Sequence, residues 1–264
     1  ALAEHFGAIE GASIDANKGA YSSAWMIIFG VIAAIMVLIG IYHIKMLPST
    51  QVPSTTKKTA SEVGHELVAV IANFFTKKHI LYYICFIILY RLAEGFIMKI
   101  APLFLRASRD VGGLGLSLTE IGTLNGIFGS AAFVLGSLLA GIYVSKFGLK
   151  KTLFTLCCIF NLPFLAYTFL AVTQPTNVYL IGTCITMEYF GYGFGFVGLT
   201  LFMMQQIAPG KHQMSHYAFA SGIMNLGVML PGMVSGYFSD LLGYRNFFIY
   251  VLIATIPAFL ITYF

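Results

Sequence analysis

Four ionisable side chains stand inside long apolar runs, and any chemistry in this chain starts with them. Arg91, Glu94 and Lys99 fall within YICFIILYRLAEGFIMKIAPLF, and Glu188 falls within the run that follows Asn177. A charge in hydrocarbon costs about 2.5 kcal/mol or more unless it faces protein, water or a counter-charge. With a helix starting near His79, Arg91 lies ~18 Å along it, close to the centre of a ~30 Å hydrocarbon core. Glu94, three residues on, shares that face and can pair with Arg91 within one helix. Lys99 is ~80° round from Arg91 and on the other side from Glu94, so it can face the same cavity without joining the pair. Glu188 lies ~16 Å into its span with no cation near it in sequence, which suits reversible protonation. Tyr189, Tyr192, Phe194 and Phe196 follow it, interleaved with Gly191, Gly193, Gly195 and Gly198. Glycines let helices approach closely, and aromatic faces suit sugar rings and cations.

Two readings of these charges stay open. Arg91 and Glu94 either fix the rotation of their helix or serve a solute or proton pathway. Asn125, Asn161, Asn225, Gln205 and Gln206 either glue helices together or contact a ligand. Gln205, Gln206, His212 and His216 are expected near a hydrated helix end. Pro102 frees the carbonyl of Met98 and is expected to kink the outer part of the helix that carries the three charges.

The elements that position these residues follow from composition. Of 264 residues, 58% are hydrophobic and 9% are Asp, Glu, Lys or Arg, with a mean hydropathy of +0.85. Soluble domains carry about 25% charge, so this is an integral membrane protein. The apolar runs extend for about twenty residues without alternation, which selects helices over barrel strands. The expected fold class is an all-α membrane bundle of about seven transmembrane helices, near 23–44, 79–105, 119–144, 152–172, 177–204, 216–239 and 245–264. The net charge of +5 lies in loop Lys and Arg and does not indicate nucleic acid. Cys85, Cys157, Cys158 and Cys184 all fall in apolar spans and read as small hydrophobes. Neither they nor the six histidines have metal-ligand spacing, so no metal and no cofactor are expected.

Loop charge sets the expected orientation. With 45–78 in the cytoplasm, nine loop Lys residues lie inside and four Lys or Arg outside, which puts 1–22 outside and the C-terminus inside. Residues 45–78 combine a Pro-, Ser-, Thr- and Lys-rich linker with EVGHELVAVIANFF. This second part reads as an amphipathic helix at the membrane surface or as a continuation of the next span. The chain starts without Met in a polar segment that runs straight into a span, as a piece lacking its N-terminal part would. The expected layout is an outer loop 1–22, one helix 23–44, a linker 45–78 and a six-helix unit 79–264.

One span, a linker and six tightly connected spans resemble the second half of a major facilitator superfamily transporter. The loop GIYVSKFGLKKTLF resembles that superfamily's Gly-x-x-x-Asp-Arg-x-Gly-Arg-Arg turn. Gly141, Lys146, Gly148, Lys150 and Lys151 match in kind, and Ser145 stands where Asp is usual. GYFSDLLGYRNFF repeats the pattern more weakly, with Gly236, Asp240, Gly243 and Arg245 in the places of Gly141, Ser145, Gly148 and Lys150; two such copies three spans apart suit an inverted repeat. YRLAEGFIMKIAPLFL, LGLSLTEIGTLNGIFG, MEYFGYGFGFVGLTLFMMQQ and residues 215–248 together resemble the AmpG muropeptide permease family, with Gly126 after Asn125 where that family has Lys.

The resemblance implies a proton-coupled secondary transporter that imports muropeptides or related amino sugars across the cell inner membrane by alternating access. Arg91 or Lys99 would hold an anionic part of the solute, with Tyr189, Tyr192 and Asn125 around it. Glu94 or Glu188 would carry the coupling proton, and Gly141 to Lys151 would form the conformational loop. The partners implied are a small solute, protons, the lipid bilayer and a further N-terminal half of the same chain. A sugar or an acyl-coenzyme A is the alternative cargo. An intramembrane enzyme using Glu94 and Glu188 as acid and base is the alternative class, but no nucleophile or metal motif supports it.

Overall fold

The computed structural model describes residues 2–9, 15–46 and 59–263. Residues 47–58 of the expected linker therefore lie outside the described residues. The chain divides into two compact units, Ala1–Thr59 and Ala60–Phe264. The helix that follows the linker belongs to the second unit.

In the first unit, α1 (Leu2–His5) precedes α2 (Lys18–Met46). Asn17 joins them: its side chain accepts from the Ile9 N–H at 2.9 Å and donates to the Ile9 carbonyl at 2.7 Å. Apolar residues occur all round α2, as in a membrane span.

The second unit is helical throughout. It contains α3 (Ala60–Phe75), α4 (Ile80–Tyr90), α5 (Leu92–Arg106), α6 (Leu118–Thr123), α7 (Ser130–Phe147), α8 (Leu149–Asn161), α9 (Phe164–Thr173), α10 (Val178–Phe202), α11 (Gln213–Ala254) and α12 (Ile256–Tyr263). α6 joins α7 through a π-helical segment, Leu124–Gly129, and a second π segment, Met203–Ile207, ends α10. Among the described residues, five stretches are long and apolar enough to cross a membrane: Lys18–Met46, Ile80–Arg106, Leu118–Phe147, Leu149–Thr173 and Gln213–Tyr263. The last is long enough for two crossings, and Gly243 (φ 69, ψ 160) divides it. α10 is not among the five, although it has 25 residues. Glu188, its glycines and its tyrosines hold its hydropathy down.

α3 is amphipathic and separate from the next span. His79 takes a left-handed conformation (φ 62) between them, so α3 is not a continuation of α4. It docks through Val70 and Phe74, and the Phe74 ring lies 5.7 Å from that of His216 on α11. His216 is therefore fully buried, not hydrated as its place near a helix end suggested. Beyond α3, the Lys77 ammonium donates to the carbonyl of Ile207 and, at 2.8 Å, to that of Pro209; burial lowers its pKa from the ordinary lysine value. At the other end of the bundle, Arg109 donates to the carbonyls of Gln174 and Pro175, both at 2.9 Å.

The repeated turn motif has a structural counterpart. Gly148 (φ 81, ψ 147) and Gly243 (φ 69, ψ 160) share a backbone conformation open in practice only to glycine. Gly148 sits beside Leu149, in the core cluster that holds Phe74. Gly243 sits beside Tyr244, whose ring is 5.3 Å from Phe104 in the other cluster. The two turns thus close opposite ends of the bundle.

The buried core falls into two clusters. Phe96, Phe104, Ile185 and Phe248 belong to one, and Phe74, Tyr90, Phe160 and Phe202 to the other. On α4–α5 the change from one to the other falls at residues 90–93, and on α10 between Ile185 and Phe194. Arg91, Glu94 and Glu188 lie at that junction, so a polar layer crosses the bundle at mid-depth.

Candidate functional site

The helix expected over 79–105 is interrupted at Arg91 (φ −104, ψ 7), where α4 ends and α5 begins. Further along, α5 carries Pro102 in its interior and runs on to Arg106. The break suits the two charges. Arg91 stands at the carbonyl end of α4, where a cation is favoured, and Glu94 lies in the first turn of α5, where an anion is favoured. α11 crosses close by. A Cβ on Gly227 would touch the Ile88 backbone, and one on Gly95 would overlap Val228 and Pro231.

Arg91 and Glu94 form a two-pronged ion pair, with Arg91 Nε donating to Glu94 Oε2 at 2.6 Å and Nη2 donating to Oε1. They are 4% and 5% exposed, so the pair is withdrawn from solvent and lipid. The Arg91 guanidinium lies 5.5 Å from the centre of the Phe196 ring, and Tyr192 stands beside both charges. The adjacent Tyr90 hydroxyl donates to the Gly195 carbonyl at 3.0 Å, which fixes the break against α10.

A cavity of about 100 Å³ opens on the far side of Glu94. Glu94, Met98 and Pro102 of α5, Asn125 of the first π segment, Tyr167 of α9, and Glu188, Tyr189 and Tyr192 of α10 line it. The π geometry is local to Asn125; such bulges re-aim side chains and recur at functional sites. The Asn125 Oδ1 is buried and has no hydrogen-bond partner. Glu188 is half-buried and, among the described residues, has neither an ion-pair partner nor a hydrogen bond. α10 can carry these residues deep into the bundle because small residues bring its backbone against α7: a Cβ on Gly136 would overlap the Phe190 carbonyl, and one on Gly193 the Phe133 carbonyl.

The structure thus gathers Glu94, Asn125, Glu188, Tyr189 and Tyr192 at one cavity, with Arg91 behind Glu94. It does not bring Lys99 there. Lys99 is exposed, off the cavity lining, and its stem faces Gly232 of α11. Gly141, Lys146, Gly148, Lys150 and Lys151 lie away from the cavity, around the α7–α8 turn. Tyr167 was not foreseen. It sits in an apolar run with no charged neighbour, and only the packing of α9 on α10 reveals its role. The π segment had one local signal, the Asn125–Gly126 pair, a turn-forming sequence inside a span. Among the described residues no three His, Cys, Asp or Glu side chains could together hold a metal ion, and the four cysteines are free.

Fold and site define a membrane helical bundle with a charged layer and a small polar cavity at mid-depth, and the comparisons point to the same class. The chain is 22% identical over 209 residues to the anhydromuropeptide permease of Escherichia coli (strain K12), covering 79% of this chain and 41% of that protein. It is 24% identical over 232 residues to a putative transporter AmpG 1 of Rickettsia bellii, covering 86% and 53%, and 26% identical over 177 residues to its namesake in Rickettsia felis, covering 67% and 38%. The chain spans about half the length or less of these relatives. No family model matches it. The chain is thus similar, at low identity, to proteins named as AmpG permeases or putative transporters.

Proposed function

We propose that this chain is the C-terminal part of a proton-coupled solute carrier of the major facilitator type, importing muropeptides or related amino sugars across the inner membrane. The observation that carries this reading is the pairing, in one mid-depth cavity, of an ion-paired carboxylate with an unpaired one. Alternating access needs a site near the bilayer centre that two bundles can expose in turn. In this scheme α2 is the last helix of a first half, the linker and α3 lie on the cytoplasmic side, and the six spans after His79 form the second half. The turns at Gly148 and Gly243 are its inverted copies. A second bundle would complete the cavity around Glu188 and Tyr192.

Glu188 is the better coupling residue. Glu94 already has a counter-ion, and protonating it would strand Arg91 in the core, whereas protonating Glu188 removes a charge that has no partner. Arg91 accordingly positions Glu94 and does not hold the solute directly. The relatives' printed names supply the cargo class.

The test is uptake of labelled anhydromuropeptide into vesicles holding the protein as the cell makes it, under an imposed proton gradient. Glu188→Gln should abolish gradient-driven accumulation while leaving exchange down a solute gradient. If Glu188→Gln and Glu94→Gln both accumulate solute as the wild type does, the proton role is wrong. If the wild type moves no muropeptide, the cargo is wrong.

A further inference from the structure

The groups that line the cavity share a property that bears on what enters it. None is a cation: Arg91 is spent on Glu94, and Lys99 points elsewhere. What remains is the carboxylate of Glu188, the buried and unpartnered Asn125 Oδ1, the outer side of the neutralised Glu94, and the rings and hydroxyls of Tyr167, Tyr189 and Tyr192. The titratable and charged groups facing Glu188 are therefore Glu94 from α5, with Arg91 behind it, Tyr167 from α9, and Tyr189 and Tyr192 from its own helix. With the Arg91–Glu94 pair neutral, the set carries one uncompensated negative charge when Glu188 is ionised. Acceptors and aromatic faces around a single carboxylate are the surroundings a protonated amine needs, with N–H donors for the oxygens and positive charge for the rings. Size agrees, since about 100 Å³ corresponds to about three waters at ~30 Å³ each. That is room for an ammonium head group beside Glu188.

We infer that Glu188 is the seat of one positive charge that either a proton or the ammonium group of a solute can supply. This rests on the transport reading only in calling the ligand a solute. The exchange is balanced: a protonated Glu188 gives its proton to solvent, and the resulting carboxylate takes the ammonium, whose N–H groups donate to Glu188 and to Asn125 Oδ1. A neutral solute would then travel with a proton, while an amine-bearing solute would replace it. An anionic solute group finds no cation among the residues that line this cavity.

Methylammonium is a probe small enough for the cavity. The purified protein is placed in weakly buffered detergent solution with a pH dye and titrated with methylammonium chloride, with sodium chloride at equal ionic strength as the control, from mildly acid to mildly alkaline pH. Below the pH at which Glu188 ionises, each methylammonium bound should release one proton, and its affinity should rise with pH. Glu188→Gln should lose the release and weaken binding about tenfold or more, the scale of a lost charged hydrogen bond. Glu188→Asp keeps the charge and should keep the release at lower affinity, which guards against a misfolded Gln variant. Absence of release at every pH, equal release by sodium, or release that survives in Glu188→Gln overturns the inference. A protein that imports muropeptide yet shows no release defeats this inference alone; one that shows the release yet moves no solute defeats the transport reading alone.

Discussion

Glu94 and Glu188 line one cavity from opposite helices, and they are held in opposite ways. Glu94 has a guanidinium on two of its oxygen positions, a helix N-terminus behind it and 5% exposure. Glu188 sits ten residues into α10 with no ion pair among the described residues, no helix end and an open side toward the cavity. In a low-dielectric layer, a carboxylate paired in this way is structure, because removing its partner leaves a charge that nothing nearby can solvate. A carboxylate on a cavity wall has another option, since it can take a proton or a cation and give it back. The bundle keeps both kinds of acid in one cross-section, and the difference lies in the partner and not in the depth.

The largest effect should come from separating the pair. Arg91→Met leaves Glu94 buried without its counter-ion and should cost about 3–5 kcal/mol, read as a lower thermal midpoint in detergent. Adding Glu94→Leu to Arg91→Met should recover most of that loss, because a well-packed apolar pair replaces a buried ionic one at little net cost. A single Arg91→Met variant as stable as the wild type would break the contrast, since Glu94 would then be as self-sufficient as Glu188.

Glu188→Gln should do the reverse. Its stability should stay within about 0.5 kcal/mol of the wild type, as for changes away from packed or paired groups, while gradient-driven uptake disappears. A large fall in melting temperature would mean that Glu188 has a structural partner and that the two carboxylates are not different in kind. Between these extremes stands Tyr192, which touches the cavity and lies beside both charges of the pair. Tyr192→Phe removes one hydroxyl and should cost about 1 kcal/mol, divided between stability and uptake. An effect on uptake alone would assign the hydroxyl to the cavity, and one on stability alone would assign it to the pair.

How far the sequence foretold this contrast depends on the range of the physics involved. The Arg91–Glu94 pair is local, three residues apart on one helix, and was legible from spacing. So was the isolation of Glu188, which has no cation within its own span. The positions of Gly148 and Gly243 were legible as well, because a turn with positive φ selects glycine wherever it occurs. The break at Arg91 was not, for residue 91 is neither Pro nor Gly; beside it α11 comes close, Gly227 against Ile88 and Val228 and Pro231 against Gly95, from more than a hundred residues away in sequence. The side on which Lys99 lies was open in the sequence for a related reason. Helix angle alone put it within reach of the cavity, but the face it occupies is set by where Gly232 of α11 lies. The hydropathy that marked the spans also undercounts α10, since the residues that make the site are the ones that make the helix less apolar.

Tyr167 gives the smallest expected effect and the cleanest one. Its ring is 4% exposed and stacks on Phe248 at 5.5 Å with an interplanar angle of 12°. Its hydroxyl has no hydrogen bond among the described residues and borders the cavity. Tyr167→Phe keeps the stack and removes only the group on the cavity wall, so stability should stay within about 0.5 kcal/mol. Methylammonium affinity should fall about two- to fivefold, the worth of one neutral acceptor. The same substitution in a Glu188→Gln background should add nothing to the binding loss, because without the carboxylate no ammonium is held for the hydroxyl to meet. If the two losses simply add, Tyr167 and Glu188 serve different ligands, and the cavity is not one site. If they do not add, the open carboxylate and the α9 hydroxyl act on one bound group, and the Arg91–Glu94 pair is the fixed wall against which it is held.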